Sequence, residues 1–336
     1  MWDKGFLSLL IVLCVLFCPV NVSAQDVTSF ADIPRIDVHA HIRTPELMDE
    51  YVEVSTILKE KHRVNLEVWI NLSSPLEPGG DGSAYLEEVE EKYGGRFLQC
   101  INDFRISDGL RYTPEELPEW LGRGVVGYKI WVGVSPLVDD PANDPTFTKM
   151  EQIGMIGASV HISQPYPTTW CESPVKFWEA QNAWERVLDR HPRLKVVQAH
   201  MLDHFNSDEQ LDYLRYVLET YPNVNVDLAA RFQQFHRMDR DNLREFMIHY
   251  ADRILFGTDI GNQTKDGKCE EVAERYYRCF KILETDGIVP GGFFGNTETE
   301  GLALQRDVLE KIYYRNAAGL YPRVREVLEE REYSVE

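Results

Sequence analysis

Six residues spread along the chain are of the types that hold a divalent ion and move a proton. His39 and His41 lie two apart in Ile36-Asp37-Val38-His39-Ala40-His41, where apolar and polar residues alternate. In a strand, side chains at i and i+2 share a face, so the two imidazoles point one way and Val38 and Ala40 the other. A neutral imidazole sheds no proton on binding, which makes the pair natural ligands for zinc or a similar ion. Lys129 follows in Gly127-Tyr128-Lys129-Ile130, His161 in Ser159-Val160-His161, His200 in Val197-Gln198-Ala199-His200 and Asp259 in Phe256-Gly257-Thr258-Asp259. Imidazoles and one carboxylate can hold a metal and leave a position for water. The ion then lowers the pKa of that water and polarises a carbonyl, while Asp259 can take the proton and hand it to the leaving group. Each residue also has a plainer role open to it. His161 and His200 could be hydrogen-bonded core histidines, Asp259 the cap of a following helix, and Lys129 the partner of a buried carboxylate such as Asp259.

Convergence of these groups needs elements that bring distant segments to one end of the molecule. Eight apolar, β-rich segments recur, at Arg35–Ile42, Val64–Leu72, Arg96–Phe104, Val125–Val132, Gly157–Ser163, Leu194–Met201, Val224–Ala230 and Ile254–Ile260. Helical patterns lie between them at Glu46–His62, Ser83–Tyr93, Phe177–Arg190, Asp208–Tyr221 and Asp239–Ala251. The strand-to-strand interval is about 30 residues, one β-α unit. Eight such units predict an α/β fold, a closed (β/α)8 TIM barrel, with a doubly wound open sheet as the alternative. No Gly-x-Gly-x-x-Gly follows the first strand, so no dinucleotide site is indicated there. Active sites of such barrels sit at the carboxyl ends of the strands, which is where the six residues fall. A helical stretch at Glu270–Thr285, a loop at Asp286–Gly301 and a closing helix at Ala303–Leu320 complete one domain, and the acidic end Glu329–Glu336 is expected to fray.

Other residues are secondary. Trp131 shares a strand face with Lys129 and is expected to face substrate. Arg231, in Asp227-Leu228-Ala229-Ala230-Arg231, suits a substrate carboxylate, with a salt bridge to Asp227 as the alternative. His62, His191 and His249 read as helix-end histidines, and His204 and His236 as loop residues expected on the surface. Loops 134–147, 164–174 and 230–237 carry Tyr166, Trp170, Phe232 and Phe235, which suit an apolar or ring-bearing substrate.

Composition narrows the class. The chain has 336 residues, 43% of them hydrophobic, enough for a large core. A net charge of −20 would repel phosphates and argues against nucleic acid. The expected partner is a small-molecule substrate, and a homo-oligomer remains open. At the N-terminus, Lys4 precedes an apolar run from Phe6 to Phe17, then Pro19 and the small-residue site Val22-Ser23-Ala24. That run is too short to span a membrane and reads as a secretory signal over residues 1–24, followed by a single domain over 25–336. The mature protein is therefore expected to be periplasmic or secreted and free of the membrane. Cys100 reads as a buried hydrophobe, and a Cys269–Cys279 bridge is open in an oxidising compartment.

Asp37-Val38-His39-Ala40-His41, Gly127-Tyr128-Lys129-Ile130, Ala199-His200, Asp252-Arg253-Ile254-Leu255-Phe256-Gly257-Thr258-Asp259 and Asn316-Ala317-Ala318 together resemble the amidohydrolase superfamily, closest to its amidohydrolase 2 group. The resemblance implies a distorted (β/α)8 TIM barrel with one or two metal ions, most often zinc, held by His39, His41, His161 and Asp259. It makes His200 a ligand of a second ion or a residue that polarises substrate. Lys129 matches the position of a bridging carbamylated lysine in some members. The group holds hydrolases, lactonases and decarboxylases, and Lys129 favours hydrolysis of an amide, lactam or lactone. A zinc-dependent decarboxylase is the second reading, and a binding protein on a retired catalytic scaffold the third. The signal makes a direct prediction: protein recovered from its native host begins at Gln25, and mass spectrometry finding intact Met1 would refute it.

Overall fold

The structure is a computed structural model that describes residues 28–335 apart from 107–108, 133–136, 163–172, 265–266 and 291–296. The signal segment, Cys171, Tyr166 and Trp170 lie outside the described residues. Among those described, no helix is long and apolar enough to cross a membrane.

Eight parallel strands run in sequence order around one sheet: β1 (Pro34–Ala40), β2 (Asn65–Asn71), β3 (Phe97–Ile106), β4 (Gly127–Val132), β5 (Ile156–His161), β6 (Val196–Gln198), β7 (Val224–Asp227) and β8 (Ile254–Leu255). Backbone bonds from Val38 N to Phe256 O (3.0 Å), Asp259 N to His39 O (2.8 Å) and His41 N to Ile260 O (2.6 Å) join the last strand to the first. The sheet is thus a barrel, and the open-sheet alternative falls. Helices α1 (Pro45–His62), α2 (Ser83–Tyr93), α3 (Leu117–Gly122), α4 (Asp144–Ile153), α5 (Pro174–Arg190), α6 (Asp208–Thr220), α7 (Arg240–His249) and α8 (Cys269–Glu284) alternate with the strands.

Local chemistry explains the boundaries. Thr44 caps α1 by accepting from Leu47 N, with Pro45 at the first helical position and Arg63 left-handed at the end. Ser173 with Pro174 starts α5 in the same way, and Asp239 caps α7. Every residue of β1 is buried, as expected of a strand covered on both faces. Where strands crowd, side chains vanish: a Cβ on Gly127 would lie 2.7 Å from Ala158 Cβ, and one on Gly257 3.0 Å from His39 Cβ.

Several sequence expectations need correction. The sixth and eighth strands stop early, so His200 and Asp259 lie in irregular backbone beyond them. The expected loop at Asp286–Gly301 contains a small antiparallel pair, β9 (Ile288–Pro290) with β10 (Glu298–Glu300). The closing helix is α9 (Arg306–Glu310), a π-helical turn (Lys311–Arg315) and α10 (Asn316–Leu320). In this turn Ile312 O accepts from Phe256 N at 2.9 Å, which satisfies the N–H just beyond β8. A further helix, α11 (Pro322–Glu330), follows, and the tail docks instead of fraying. Arg331 and Tyr333 both bond the Glu67 carboxylate, and Val335 is buried. Cys269 and Cys279 are free thiols, so the bridge is absent; Cys100 is buried as expected.

At the amino end of β1 the Arg35 guanidinium is fully buried between the rings of Phe280 and Tyr313, 4.8 Å from each, and pairs with Glu284 at 2.7 Å. Removing one partner of a buried pair strands the other charge. Arg35→Leu should therefore lose about 3–5 kcal/mol in urea unfolding, and a loss under about 1 kcal/mol would show the pair to be energetically idle.

Candidate metal centre

The carboxyl end of the barrel gathers the sequence-predicted residues. His39 comes from β1, His200 from the turn after β6, and Asp259 from the segment after β8. One ligand atom from each lies within 4.8 Å of the others. The backbone pays for this aim. His200, Met201, Leu202 and Asp203 have φ of 56°, 53°, 57° and 57°, a left-handed turn of four non-glycine residues, and Asp259 has φ 64°.

Hydrogen bonds fix which nitrogen of each ring is bare. His39 Nδ1 lies 2.8 Å from Asp227 Oδ2, an acceptor, so Nδ1 carries the proton and Nε2 is a lone pair. His200 Nδ1 lies 2.9 Å from Ala229 O, which leaves its Nε2 bare by the same logic. His39 Nε2 is buried, makes no hydrogen bond, and faces Asp259 Oδ1 at 3.5 Å. The two imidazole lone pairs and the carboxylate share no proton among the three, and a cation placed between them would relieve their repulsion. The donor set fits a divalent ion.

Electrostatics agree. Burial, then the neighbouring positive groups, holds the His200 imidazole down to about 3 even against the pull of Asp259. Burial brings His41 down to about 4 and pushes His161 well below its ordinary value. The rings stay neutral at pH 7 and keep their lone pairs. Burial raises the Asp259 carboxyl, but the hydrogen bond from His41 and the attraction of the His200, His39 and His41 rings outweigh that and hold it well below the usual range. One edge of Asp259 remains open, with 34% of its side chain exposed.

The other predicted residues sit around this triad. His41 Nε2 is 3.0 Å from Asp259 Oδ1, and its Nδ1 is 2.6 Å from Ser73 Oγ. His161 stacks on Trp131 with centroids 4.9 Å apart, and its Nε2 is 3.6 Å from Asp203 Oδ2. Lys129 is buried and donates to Ser159 Oγ at 2.8 Å, not to Asp259. Arg231 faces Asp203 at 3.7 Å, so Asp227 is not its partner. Asp259 turns its carboxylate toward His41 and His39 instead of capping a helix.

Phe232 and Phe235 are buried and packed on each other, Phe205 and Phe256, so they belong to the core and do not line a substrate pocket. His62 pairs with Glu274 and His191 with Asp144, while His236 and His249 are exposed. His204 is buried, against expectation, within the rings of Phe177, Trp178 and Tyr213. A separate cavity of about 630 Å³ opens at the opposite end, beside Phe97, Val125 and Ile156, away from this chemistry.

Asp227, Asp203 and Ser73 escaped the sequence reading as site residues. Asp227 ends β7 just as His161 ends β5, and that rule would have found it. Asp203 and Ser73 carry no local signal.

A family model for amidohydrolases, Amidohydro_2, matches residues 79–323. This chain belongs to the amidohydrolase family. Among curated proteins none matches it. An uncharacterised TIM-barrel protein from Bordetella bronchiseptica is similar in structure, with TM-score 0.53 and 17% identity over 87% of this chain and 99% of its own. A 5-carboxyvanillate decarboxylase from Novosphingobium aromaticivorans, complexed with manganese and 4-hydroxy-3-methoxy-5-nitrobenzoic acid, aligns with TM-score 0.54 and 12% identity over 88% and 98%. At these identities the likeness is one of fold.

The buried His204 yields a pH prediction. Burial lowers it from 6.5 to about 4. A depressed folded-state value means the unfolded chain binds the proton more tightly, so the stabilisation is complete above pH 6.5 and is lost as pH falls towards 4. The loss should be on the order of 3 kcal/mol. The Tm of His204→Gln should fall less steeply than wild type across that window, and parallel curves would refute the assignment.

Proposed function

We propose that the protein is an exported, metal-dependent hydrolase of a C–N or C–O acyl bond, as in an amide, lactam or lactone. The carrying observation is Asp259: an unprotonated carboxylate that reaches solvent on one edge and abuts the bare nitrogens of His39 and His200 on the other. A hydrolase needs a base that water can reach, placed beside an electrophilic centre.

A divalent ion held by His39, His200 and Asp259, zinc in this reading, would supply Lewis acidity towards the acyl oxygen and towards water. His41 holds Asp259 in place through its Nε2, and Ser73 holds His41. Asp259 accepts the proton of the attacking water and returns it to the leaving nitrogen or oxygen. His200, fixed by Asp227 and Ala229, is aimed at the same space. Burial lowers the Lys129 ammonium to about 8, which leaves a neutral fraction at pH 7. The neutral amine is the form that carbamylation requires, so Lys129 and His161 would serve a second ion. Arg231 and Trp131 are the proposed substrate contacts, Arg231 through a carboxylate and Trp131 through its ring.

A decarboxylase acting on a small carboxylic acid is the second reading, favoured by the manganese-bound decarboxylase among the structural neighbours. Zinc- and manganese-loaded protein screened against lactones, amides and carbamates tests the first. Acid or amine released from a lactone or amide without CO2 marks hydrolysis, and a carbamate is scored by its released alcohol because its hydrolysis also yields CO2. Turnover confined to small carboxylic acids, with stoichiometric CO2, overturns hydrolysis in favour of decarboxylation.

Asp259→Asn keeps shape and removes the base. Turnover should fall about 10²–10⁴-fold, while two histidines of the triad retain weakened metal. Near-normal turnover of this variant would make Asp259 merely structural. Dialysis against a chelator should abolish activity, and added zinc or manganese should restore it.

A further inference from the structure

Besides Asp227 and Asp203, another buried carboxylate lies behind the candidate metal triad. Asp37 is fully buried at the seam between β1 and β8. Its Oδ1 accepts from His39 N at 3.0 Å and Thr258 N at 3.2 Å. Its Oδ2 accepts from Thr258 Oγ1 at 2.5 Å and Tyr276 Oη at 2.6 Å. The two backbone donors are His39 itself and the residue preceding Asp259. In a regular strand Asp37 and His39 would share a face. A register irregularity between Asp37 and Ala40 instead lets Asp37 reach α8 while His39 turns to Asp227 and Asp259.

The proton directions are determined. Trp69 Nε1 lies 3.0 Å from the Tyr276 oxygen and can only donate, so the single Tyr276 proton goes to Asp37. Tyr276 is fully buried on α8, and its ring packs against Phe256 and Phe280.

We propose that Tyr276 is a positioning residue for the metal centre: through Asp37 it holds the backbone of His39 and Thr258, and so the spacing between His39 and Asp259. This rests on the metal reading above. Loss of its hydroxyl leaves Trp69 Nε1 unpaired and Asp37 short of a donor, which frees the seam that carries two of the three ligands.

The test is zinc competition between the full chain and a chromophoric chelator, with thermal unfolding recorded in parallel. Tyr276→Phe keeps the ring and should weaken zinc by about 10-fold, the scale of a lost outer hydrogen bond. Tyr313→Phe is the control, because it also removes a buried hydroxyl, the one bonded to Glu284 at 2.9 Å. It should lower Tm and leave zinc affinity within about twofold. Wild-type affinity in Tyr276→Phe, or equal weakening in Tyr313→Phe, overturns the proposal. A wild type that binds neither zinc nor manganese overturns the metal reading itself, and this proposal with it. Should Tyr276→Phe fail to fold, Thr258→Ser against Thr258→Val decides. A gap of about 10-fold in favour of serine, which keeps the hydroxyl, supports the seam's role, and no gap refutes it.

Discussion

The centre depends on the Asp227 carboxylate. It is fully buried and accepts from His39 Nδ1, from His200 N at 2.9 Å and from Ala229 N at 3.1 Å. Burial alone would raise its pKa, but the attraction and hydrogen bond of His39 hold it low. A charged acceptor at that point chooses the His39 tautomer. Were the proton on Nε2 instead, His39 would donate to Asp259, and the cluster would close on itself without a cation. One carboxylate on β7 therefore gives two histidines and an aspartate the arrangement of a candidate ligand set.

The early ends of β6 and β8 serve the same purpose. A ladder continued through His200 and Asp259 would alternate side chains between the barrel interior and the helix layer. Beyond the last paired residues the chain is free of that alternation. It turns His200 so that its own N–H meets Asp227 and its ring meets Ala229 O, and it sets Asp259 N on His39 O. The short strands are compensated from outside, by Asp37 across the seam and by Ile312 O of the π-turn at Phe256 N.

The barrel was legible because parallel strands buried on both faces read as apolar runs and their helices as amphipathic ones. Helix α2 and the end of α1 match their patterns to the residue. The places of Lys129 late in β4 and of His161 at the end of β5 were legible for the same reason, since a strand's period tells where its side chains go. What periodicity does not carry is backbone that leaves the period. The turn at His200–Asp203 brings Asp203 to His161 and Arg231, and nothing in Met201 or Leu202 announces a left-handed conformation. The sequence leaves Asp227 open as a partner of the nearby Arg231, but sequence proximity is not contact, and Arg231 faces Asp203. Phe232 and Phe235 look like pocket residues in a loop, yet they fill the space above Phe256. The π-turn is hidden for a similar reason, as Lys311–Arg315 has ordinary helical composition.

That left-handed turn is the least expected backbone in the chain, and energetics explain how it persists. Four L-residues in this conformation cost roughly 4–8 kcal/mol relative to a right-handed path. Met201 and Leu202 are almost wholly buried, which returns roughly 3–6 kcal/mol. The bonds from His200 N to Asp227 and from His204 N to Met201 O, each worth about 1 kcal/mol net, supply the rest. The turn is therefore held by the core beneath it and not by its own preference. Glycine at 201 or 202 would relax the backbone but forfeit the burial that clamps it. A flexible turn would let His200 swing its bare nitrogen away from Asp259, whereas a strained turn with both apolar side chains locked in the core has nowhere else to go. Strain at this site is thus the consequence of fixing an imidazole at an angle that neither strand nor helix can supply.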